Sequence, residues 1–212
     1  MAQEAKKEKP KKPKTRRSEV LGKTAFRLIE KAQELMAEDK YDEAFAPLQQ
    51  IIDGTKFKPY EKAVAIQTIG FVHAGKGDYP ATIGAFERAI QTGDLPQGIV
   101  LSLTYNLAQL NLADQKPKKA LVLMQQWFDA QDDEPGADPF ALKAQIHIIL
   151  DELRLAEQAI RKAMSKAEAP KQQWTRILLS VLLQEERYQE ARPILEDAVE
   201  RWPGVKAFWQ QL

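Results

Sequence analysis

Residues suited to metal chemistry are few and far apart in this chain. Its 212 residues include no cysteine and only two histidines, His73 and His147. A zinc site gathers several nitrogen, sulfur or carboxylate ligands, and two isolated histidines do not make such a set. The sequence therefore predicts no metal site and no cofactor, and we interpret both histidines as residues that pack helices together.

No stretch has the residue types and spacing of a phosphate-binding loop or a catalytic pair. The segment GKGDYP (75–80) contains Gly-Lys-Gly but lacks the spacing of a P-loop. Carboxylates such as Asp39, Glu152 and Glu185 fall in predicted turns, where we expect them to be solvated. We therefore predict no catalytic residues and a protein that is not an enzyme.

The charge of the chain is divided unevenly between its N-terminus and its body. Residues 1–17 contain eight of the 31 basic residues and two of the 30 acidic ones, a net charge of +6, whereas the remainder has a net charge of −5. With Pro10, Pro13 and few large apolar side chains, residues 1–20 are predicted to be a disordered basic tail. The tail is either a solubilising tether or an electrostatic contact with an anionic partner, such as a membrane surface, peptidoglycan or an acidic protein. An acidic body without a basic, aromatic face argues against binding of nucleic acid.

The body of the chain, residues 21–212, repeats one pattern five times. When the repeats are aligned, one shared position is held by Tyr41, Tyr79, Pro117, Leu153 and Tyr188, which are 38, 38, 36 and 35 residues apart. Three positions later each repeat has a small residue (Ala44, Thr82, Ala120, Ala156 and Ala191), and four positions after that a large apolar one (Leu48, Phe86, Met124, Ile160 and Leu195). This recurrence predicts one array of similar helical units.

The pattern resembles the tetratricopeptide repeat (TPR), in which two antiparallel helices cross at small residues. Nine positions before the position of Tyr41 in each repeat lie Ala32, Gly70, Ala108, Ala144 and Leu179, of which four are small. Trp127 departs from the pattern at the third small position of the repeat, so the third unit must pack differently around it. The resemblance implies an all-α fold, a right-handed α-solenoid of about five helix pairs with a partial sixth helix, as a single domain over residues 21–212.

The last residues repeat the start of a unit without completing it. Lys206 is where a sixth unit is expected to begin, and Trp209 and Leu212 fall on the tryptophan and leucine positions of the repeat. Either this segment caps the solenoid or a longer array has been cut. Because AFWQQL lacks the polar outer face of a cap, we favour the longer array.

Some segments resemble a narrower group, the periplasmic TPR proteins of Gram-negative bacteria that are often encoded beside TonB energy-transduction components. These segments are YEKAVAIQTIGFVHAGKGDYPATIGAFERAI (60–90), LPQGIVLSLTYNLAQLNLADQKPKKAL (95–121) and QWF (126–128). The basic N-terminus with Thr15-Arg16-Arg17 also resembles theirs, and the residues after Met1 look like the start of a mature exported chain. The resemblance implies a periplasmic location, with the cytoplasm as the alternative.

In the TPR architecture the first helix of each pair lines the concave surface that contacts partners. From the positions that face this surface we predict the partner-binding residues Gln33, Gln67, Phe71, Tyr105, Gln109, Gln145 and Arg176. Amides both donate to and accept from a peptide backbone, and aromatic rings provide apolar anchors beside them. Gln33, Gln109 and Gln145 share one register as an amide ladder. Phe71, Tyr105 and Gln109 are expected to form one contiguous patch.

The predicted function is that of a non-catalytic protein-interaction scaffold that binds a protein or peptide on its concave face. The narrower resemblance implies a role accessory to a TonB-type transport complex, with TonB-complex components as partners. The alternative is a general TPR adaptor, in the cytosol or the envelope, for an unrelated peptide. A chaperone-type carboxylate clamp is not expected, because only Asn106 matches its residues. No apolar run approaches the ~20 residues that span a bilayer, so no transmembrane segment is predicted.

Overall fold

The computed structural model describes residues 20–169 and 171–211, and helices make up most of this part of the chain. Five helix pairs follow one another: α1 (Lys23–Ala37) and α2 (Tyr41–Asp53), α3 (Pro59–Gly75) and α4 (Tyr79–Gln91), α5 (Gln97–Ala113) and α6 (Pro117–Asp129), α7 (Ala137–Ile149) and α8 (Leu153–Ser165), α9 (Gln172–Gln184) and α10 (Tyr188–Arg201). A short helix, α11 (Lys206–Gln211), comes last. No strand occurs in these ranges, and the predicted all-α solenoid is confirmed. The predicted basic tail lies outside the described residues except for Val20.

The second helix of every pair begins at the position on which the repeats are aligned. The helices α2, α4, α6, α8 and α10 start at Tyr41, Tyr79, Pro117, Leu153 and Tyr188. Their small residues (Ala44, Thr82, Ala120, Ala156 and Ala191) are buried, and so are their large apolar ones (Leu48, Phe86, Met124, Ile160 and Leu195). Small side chains let the paired helices approach closely while large ones fill the remaining space. The structure therefore confirms the register of the repeat.

Gly70 shows how tightly one pair is packed. It lies in α3, and a methyl group placed on it would overlap the ring of Phe86 in α4. The ring thus rests directly against the backbone of α3. The corresponding residues Ala32, Ala108 and Ala144 are buried in three of the other pairs, which agrees with the small side chains predicted there, and the fifth pair has the buried Leu179 instead.

The turn inside each pair has one repeated geometry. The first helix ends in a Schellman motif, in which a backbone N–H donates to a carbonyl five residues earlier. Lys40 donates in this way to Leu35 and Arg187 to Leu182, both at 2.8 Å. The residue just before the donor has a positive φ in all five turns: 59° at Asp39, 73° at Gly77, 56° at Gln115, 60° at Asp151 and 57° at Glu186. The non-glycine residues among these are held in a conformation that costs roughly 1 kcal/mol each.

The helices pack mainly against helices that are adjacent in sequence. Each helix contacts chiefly its neighbours in sequence, and further contacts join α1 to α3 and α7 to α9. The buried side chains accordingly form separate clusters along the array instead of one central core. This is the arrangement of a repeat solenoid, in which each unit is stabilised by the units beside it.

Three glutamates take structural roles that the sequence did not reveal. Glu61 is buried at the start of α3 and accepts hydrogen bonds from the backbone N–H groups of Lys58 and Gly22, both at 2.8 Å, which ties the start of α1 to α3. Glu152 lies 2.6 Å from Nδ1 of the buried His147, and Glu185 pairs with Arg187 at 2.8 Å. Glu152 and Glu185 are half-buried, which corrects the expectation that these turn carboxylates are simply solvated.

The final helix begins where a sixth unit was predicted, at Lys206. Phe208 is buried against the fifth pair, whereas Trp209 is exposed and its indole N–H donates to the Pro203 carbonyl at 3.0 Å. No helix in the described ranges is long and apolar enough to cross a membrane.

Candidate protein-binding site

The seven predicted binding residues all lie on the first helices of the pairs. Gln33, Phe71, Gln109 and Arg176 are exposed, while Gln67, Tyr105 and Gln145 are half-buried. We call the accessible side chains of α1, α3, α5, α7 and α9 the A-helix face. The structure thus makes each predicted residue accessible on this face, and their contact with a partner stays a prediction.

A cleft on the A-helix face is centred on Tyr105. Its volume is about 490 Å³, and it lies between α5, the end of α6 and the start of α7. Its lining residues are Leu101, Ser102, Tyr105, Asn106, Trp127, Gln131, Asp138 and Pro139. We call this the Tyr105 cleft. Because two successive units form it, the cleft depends on how the third and fourth pairs stack.

Trp127 is the residue that shapes the Tyr105 cleft. The repeat pattern calls for a small or aliphatic side chain here, and Trp127 is instead half-buried with its ring 5.4 Å from that of Tyr105. A chain of aromatic contacts continues from Trp127 to Phe128 at 5.3 Å and from Phe128 to Phe140 at 5.0 Å. Large aromatic side chains bury much apolar area and stiffen the site they line. The position that did not fit the repeat is therefore the wall of the candidate site.

Charge at the Tyr105 cleft is concentrated at its edge. Burial, together with the negative charge of Asp138, raises the pKa of the Tyr105 hydroxyl above its usual value. The hydroxyl therefore stays protonated at neutral pH and can donate a hydrogen bond to a carbonyl of a bound chain. Asp138 itself pairs with Lys171 at 2.6 Å, and both side chains are exposed, so this pair is screened by solvent.

Two of the polar groups in the cleft already have partners within the chain. The Ser102 hydroxyl donates to the Gly98 carbonyl at 2.9 Å, and the Gln131 amide donates to the Trp127 carbonyl at 3.2 Å. Tyr105 and the half-buried amide of Asn106 are thus the groups best placed to meet a peptide backbone. This combination of an aromatic wall with a few polar groups is typical of a recognition cleft.

Phe71 and Gln109 lie on the same face but do not line the Tyr105 cleft. Phe71 is 39% exposed and its ring packs edge-on against Phe86 of the same pair, with centroids 5.1 Å apart. The contiguous patch of Phe71, Tyr105 and Gln109 stays a prediction. The sequence pattern predicts that the third unit packs differently around Trp127, and it does not single out Gln131. The signal that could have revealed both was the misfit of Trp127 itself.

Arg176 borders a separate cleft at the last pair. That cleft has a volume of about 340 Å³ and lies between α9 and α11. Its other lining residues are Ser180, Leu183, Gln184, Ala207, Phe208 and Gln211. Arg176 is thus placed on the A-helix face but belongs to a different cleft from Tyr105.

His73 and His147 both contact neighbouring side chains. His147 is buried beside Glu152, and the His73 ring lies 4.9 Å from the ring of Phe45 in the neighbouring α2. Within residues 20–169 and 171–211, no group of three or more histidine, cysteine or acidic side chains is arranged to hold a metal ion. Both histidines instead contact adjoining structure, as the packing interpretation expects.

Known proteins resemble this chain in fold rather than in sequence. No family model matches the chain, and no curated protein matches it by sequence. Among solved structures, a TPR protein from Parabacteroides merdae is 15% identical, with a TM-score of 0.74 over 90% of this chain and 71% of that one. A fragment of MamA from Desulfovibrio magneticus is 16% identical, with a TM-score of 0.70 over 88% of this chain and 99% of that one. The fold is TPR-like.

A third TPR-like structure is YrrB, described as a TPR protein with an unusual peptide-binding site. It is 17% identical to this chain, with a TM-score of 0.69 over 88% of this chain and 90% of that one. At these identities the likeness concerns the fold. The helix pairs, their register and the A-helix face of this chain are therefore those of a TPR-like solenoid.

Proposed function

We propose that this TPR-like chain is a non-catalytic scaffold that binds a peptide segment of another protein on its A-helix face, which is the concave face in this architecture. The Tyr105 cleft is the main anchor point. The other predicted residues, Gln33, Gln67, Phe71, Gln109, Gln145 and Arg176, extend the contact along the face.

The observation that carries this proposal is the junction of Tyr105 with Trp127. An aromatic wall opens onto an accessible face beside an amide and a protonated hydroxyl. Buried aromatic anchors commonly provide most of the affinity at protein interfaces, and amides pair with an extended backbone. The peptide-binding description of YrrB supports the same kind of function on the same kind of fold.

A selected peptide ligand tests the proposal directly. A random peptide-display library is screened against the purified chain, and the strongest ligand is titrated by fluorescence anisotropy. We expect Tyr105→Ala to weaken binding by about tenfold or more, since it removes the anchor. Tyr188→Ala is the matched control, because Tyr188 is exposed on a second helix, and it should bind as the wild type does. Ligands that respond to neither substitution would place the site elsewhere.

The periplasmic setting and the TonB partners form the finer part of the proposal. They are supported by the resemblance of residues 60–90 and 95–121 to the periplasmic group. For the test, the chain is produced in a Gram-negative bacterium with a photoreactive residue at position 105. This residue should cross-link to a component of a TonB complex. Cross-links to an unrelated protein would favour the general adaptor instead.

The basic tail is a second candidate for contact with a partner. The salt dependence of binding distinguishes contacts made by the tail from contacts made in the Tyr105 cleft. Contacts made by the cations of residues 1–17 should fade steeply as ionic strength rises, whereas contacts in the Tyr105 cleft should depend only weakly on salt. We therefore compare Tyr105→Ala with deletion of residues 1–17 across a salt series. If only the deletion matters, and only at low salt, the A-helix face is not the site.

A further inference from the structure

A second cleft lies on the opposite side of the solenoid, where the second helices of the third and fourth pairs face each other. Its volume is about 530 Å³. Its walls are Leu121, Val122 and Gln125 of α6 and Leu155, Gln158, Ala159 and Lys162 of α8, and its floor is Phe140, Lys143 and His147 of α7. We call this the outer cleft. It shares no lining residue with the Tyr105 cleft.

Apolar side chains are unusually accessible in the outer cleft. Val122 on one wall is 56% exposed and Leu155 on the other is 46% exposed. Phe140 and Leu121 beneath them are half-buried. Single exposed apolar residues are ordinary on protein surfaces, but here apolar residues on both walls form one concave surface that a partner can cover.

The neighbouring junctions are closed by ion pairs at positions where this junction has uncharged side chains. Between α4 and α6, Lys119 pairs with Glu87 at 2.6 Å. Lys119 is the third residue of α6, and the third residue of α8 is Leu155. Glu87 is the ninth residue of α4, and the ninth residue of α6 is Gln125.

The next junction shows the same replacement. Glu157 is the fifth residue of α8 and bonds Arg187, which directly precedes α10. The fifth residue of α6 is Leu121. Within the described ranges, no ion pair joins α6 to α8. At the positions of the residues that seal the other junctions, this junction thus has two leucines and a glutamine.

The charges around the outer cleft are mainly basic. Its ionisable lining groups are Lys143, Lys162 and His147, and none of the lining residues is a carboxylate. Lys118 and Arg154 are exposed on the outer sides of α6 and α8. Two acidic side chains contact basic groups here: Glu134 pairs with Lys162 at 2.8 Å and with Lys166 at 3.0 Å, and Glu152 lies 2.6 Å from Nδ1 of His147. An apolar cleft with a basic rim complements an apolar segment that carries carboxylates.

We propose that the outer cleft binds an acidic amphipathic helix of a partner protein. Leu155, Ala159 and Lys162 lie along one stripe of α8, so the wall spans the eight residues from Leu155 to Lys162, about 10 Å of helix. Two turns of a partner helix match that length, and their apolar side chains enter the cleft one turn apart. Carboxylates on the flanks of the partner helix meet Lys143 and the basic rim. This surface stands independently of peptide binding at the Tyr105 cleft.

A designed peptide tests the proposal in place of a natural partner. The probe is a fluorescent helical peptide of roughly 18 residues, with leucines on one face and glutamates on the other. Its counterpart has lysines in place of the glutamates. We expect the intact chain to bind the glutamate peptide at least about tenfold more tightly than the lysine peptide, because the rim attracts carboxylates.

A double variant introduces the ion pair of the α4–α6 junction into the α6–α8 junction. Leu155→Lys combined with Gln125→Glu reproduces the Lys119–Glu87 pair between α6 and α8 and leaves the net charge unchanged. It should weaken binding of the glutamate peptide at least about tenfold, since it fills the cleft with a polar pair, while circular dichroism shows an intact helical fold. Val122→Ser, a milder change, should weaken binding in the same direction, and Tyr105→Ala is the control that should leave it unchanged.

Three results would overturn the proposal. The first is that the two peptides bind equally or that neither binds. The second is that the double variant binds the glutamate peptide as the wild type does. The third comes from sedimentation of the chain alone: self-association that the double variant abolishes would show that a second copy of the chain, and not an acidic helix, covers the cleft.

Discussion

The junction between α6 and α8 and the junction between α8 and α10 have similar buried helix crossings but different residues at the surface. In both, the second helices cross their partners at fully buried alanines, Ala120, Ala156 and Ala191. Outside, the α8–α10 junction is crossed by Arg187, which bonds Glu157 and Glu190. A cleft of about 400 Å³ remains there, but Arg161 and Asp197 place one charge of each sign in its lining. The α6–α8 junction instead presents Leu121, Val122 and Leu155 to a larger cleft.

This difference shows that interior and outer positions of the repeat have different roles. Interior positions hold neighbouring helices together and allow little variation in side-chain size. Outer positions contribute little to that packing, so they either seal a junction with charges or leave an apolar surface for a partner. The Tyr105 cleft is formed by the same two units from the other face. Both candidate binding surfaces thus meet at the place where the repeat pattern is least regular.

The largest effect is expected where the two junctions are alike. Ala120→Leu and Ala156→Leu each overpack a helix crossing and should lower the free energy of unfolding by ~1–3 kcal/mol. Urea unfolding followed by circular dichroism measures both. Equal losses would confirm that the interiors are equivalent, and wild-type stability in either variant would show that the assigned crossing is wrong.

A smaller loss of stability, which depends on pH, is expected from a substitution in the surface ion pairs by which the two junctions differ. Hydrogen bonds from Arg187 hold the pKa of Glu157 and of Glu190 below the usual 4.5. Carboxyl pKa values lowered by folding give stabilisation that is complete above pH 4.5 and is lost as the pH falls through the lowered values. Arg187→Met should therefore lower the melting temperature at neutral pH and flatten its decline in acid.

Lys143→Met is the matched control for that experiment, because Lys143 lines the outer cleft and lies over the Phe128 ring. It should retain the acid-dependent decline of the wild type. Melting curves between about pH 7 and about pH 3 measure both variants. A wild-type pH profile in Arg187→Met would mean that the charges at the α8–α10 junction do not seal it.

The smallest effect is expected in the turns, which are the same at both junctions. Asp151 and Glu186 have φ values of 60° and 57°, in the region that favours glycine. Asp151→Gly and Glu186→Gly should each raise the free energy of unfolding by roughly 0.5 kcal/mol, because relief of strain exceeds the added entropy of the unfolded chain. Thermal unfolding of the two variants should shift in the same direction. Opposite shifts would break the equivalence of the turns.

The fold could be predicted because its register depends on side-chain size at regularly spaced positions. Ala44 and Ala156 recur where helices cross, and Leu48 and Ile160 recur where the space behind them is filled. Such a pattern is local in sequence and repeats, so five copies reinforce one another. The start of α11 at Lys206 followed from the same spacing.

The contacts that could not be predicted join residues far apart in sequence. Glu61 bonds Gly22 across 39 residues, and Arg187 bonds Glu157 across 30. Neither pair follows from periodicity, because each depends on how one unit sits on the next. Trp127 was recognised as a misfit, but only the stacking of the third and fourth pairs brings its ring against Tyr105. The sequence pattern thus predicts which residues lie on the first helices, but not that Trp127 lies against Tyr105.

The central claim is that the misfit residue Trp127 creates the binding site, and Trp127→Ala tests it most directly. The substitution restores the small side chain that the repeat has at this position in the second, fourth and fifth units. The measurement is the dissociation constant of the display-selected peptide, with circular dichroism as the check on folding. We predict that the variant stays helical and binds the peptide at least about tenfold more weakly. An intact variant that binds the peptide as tightly as the wild type would contradict the account.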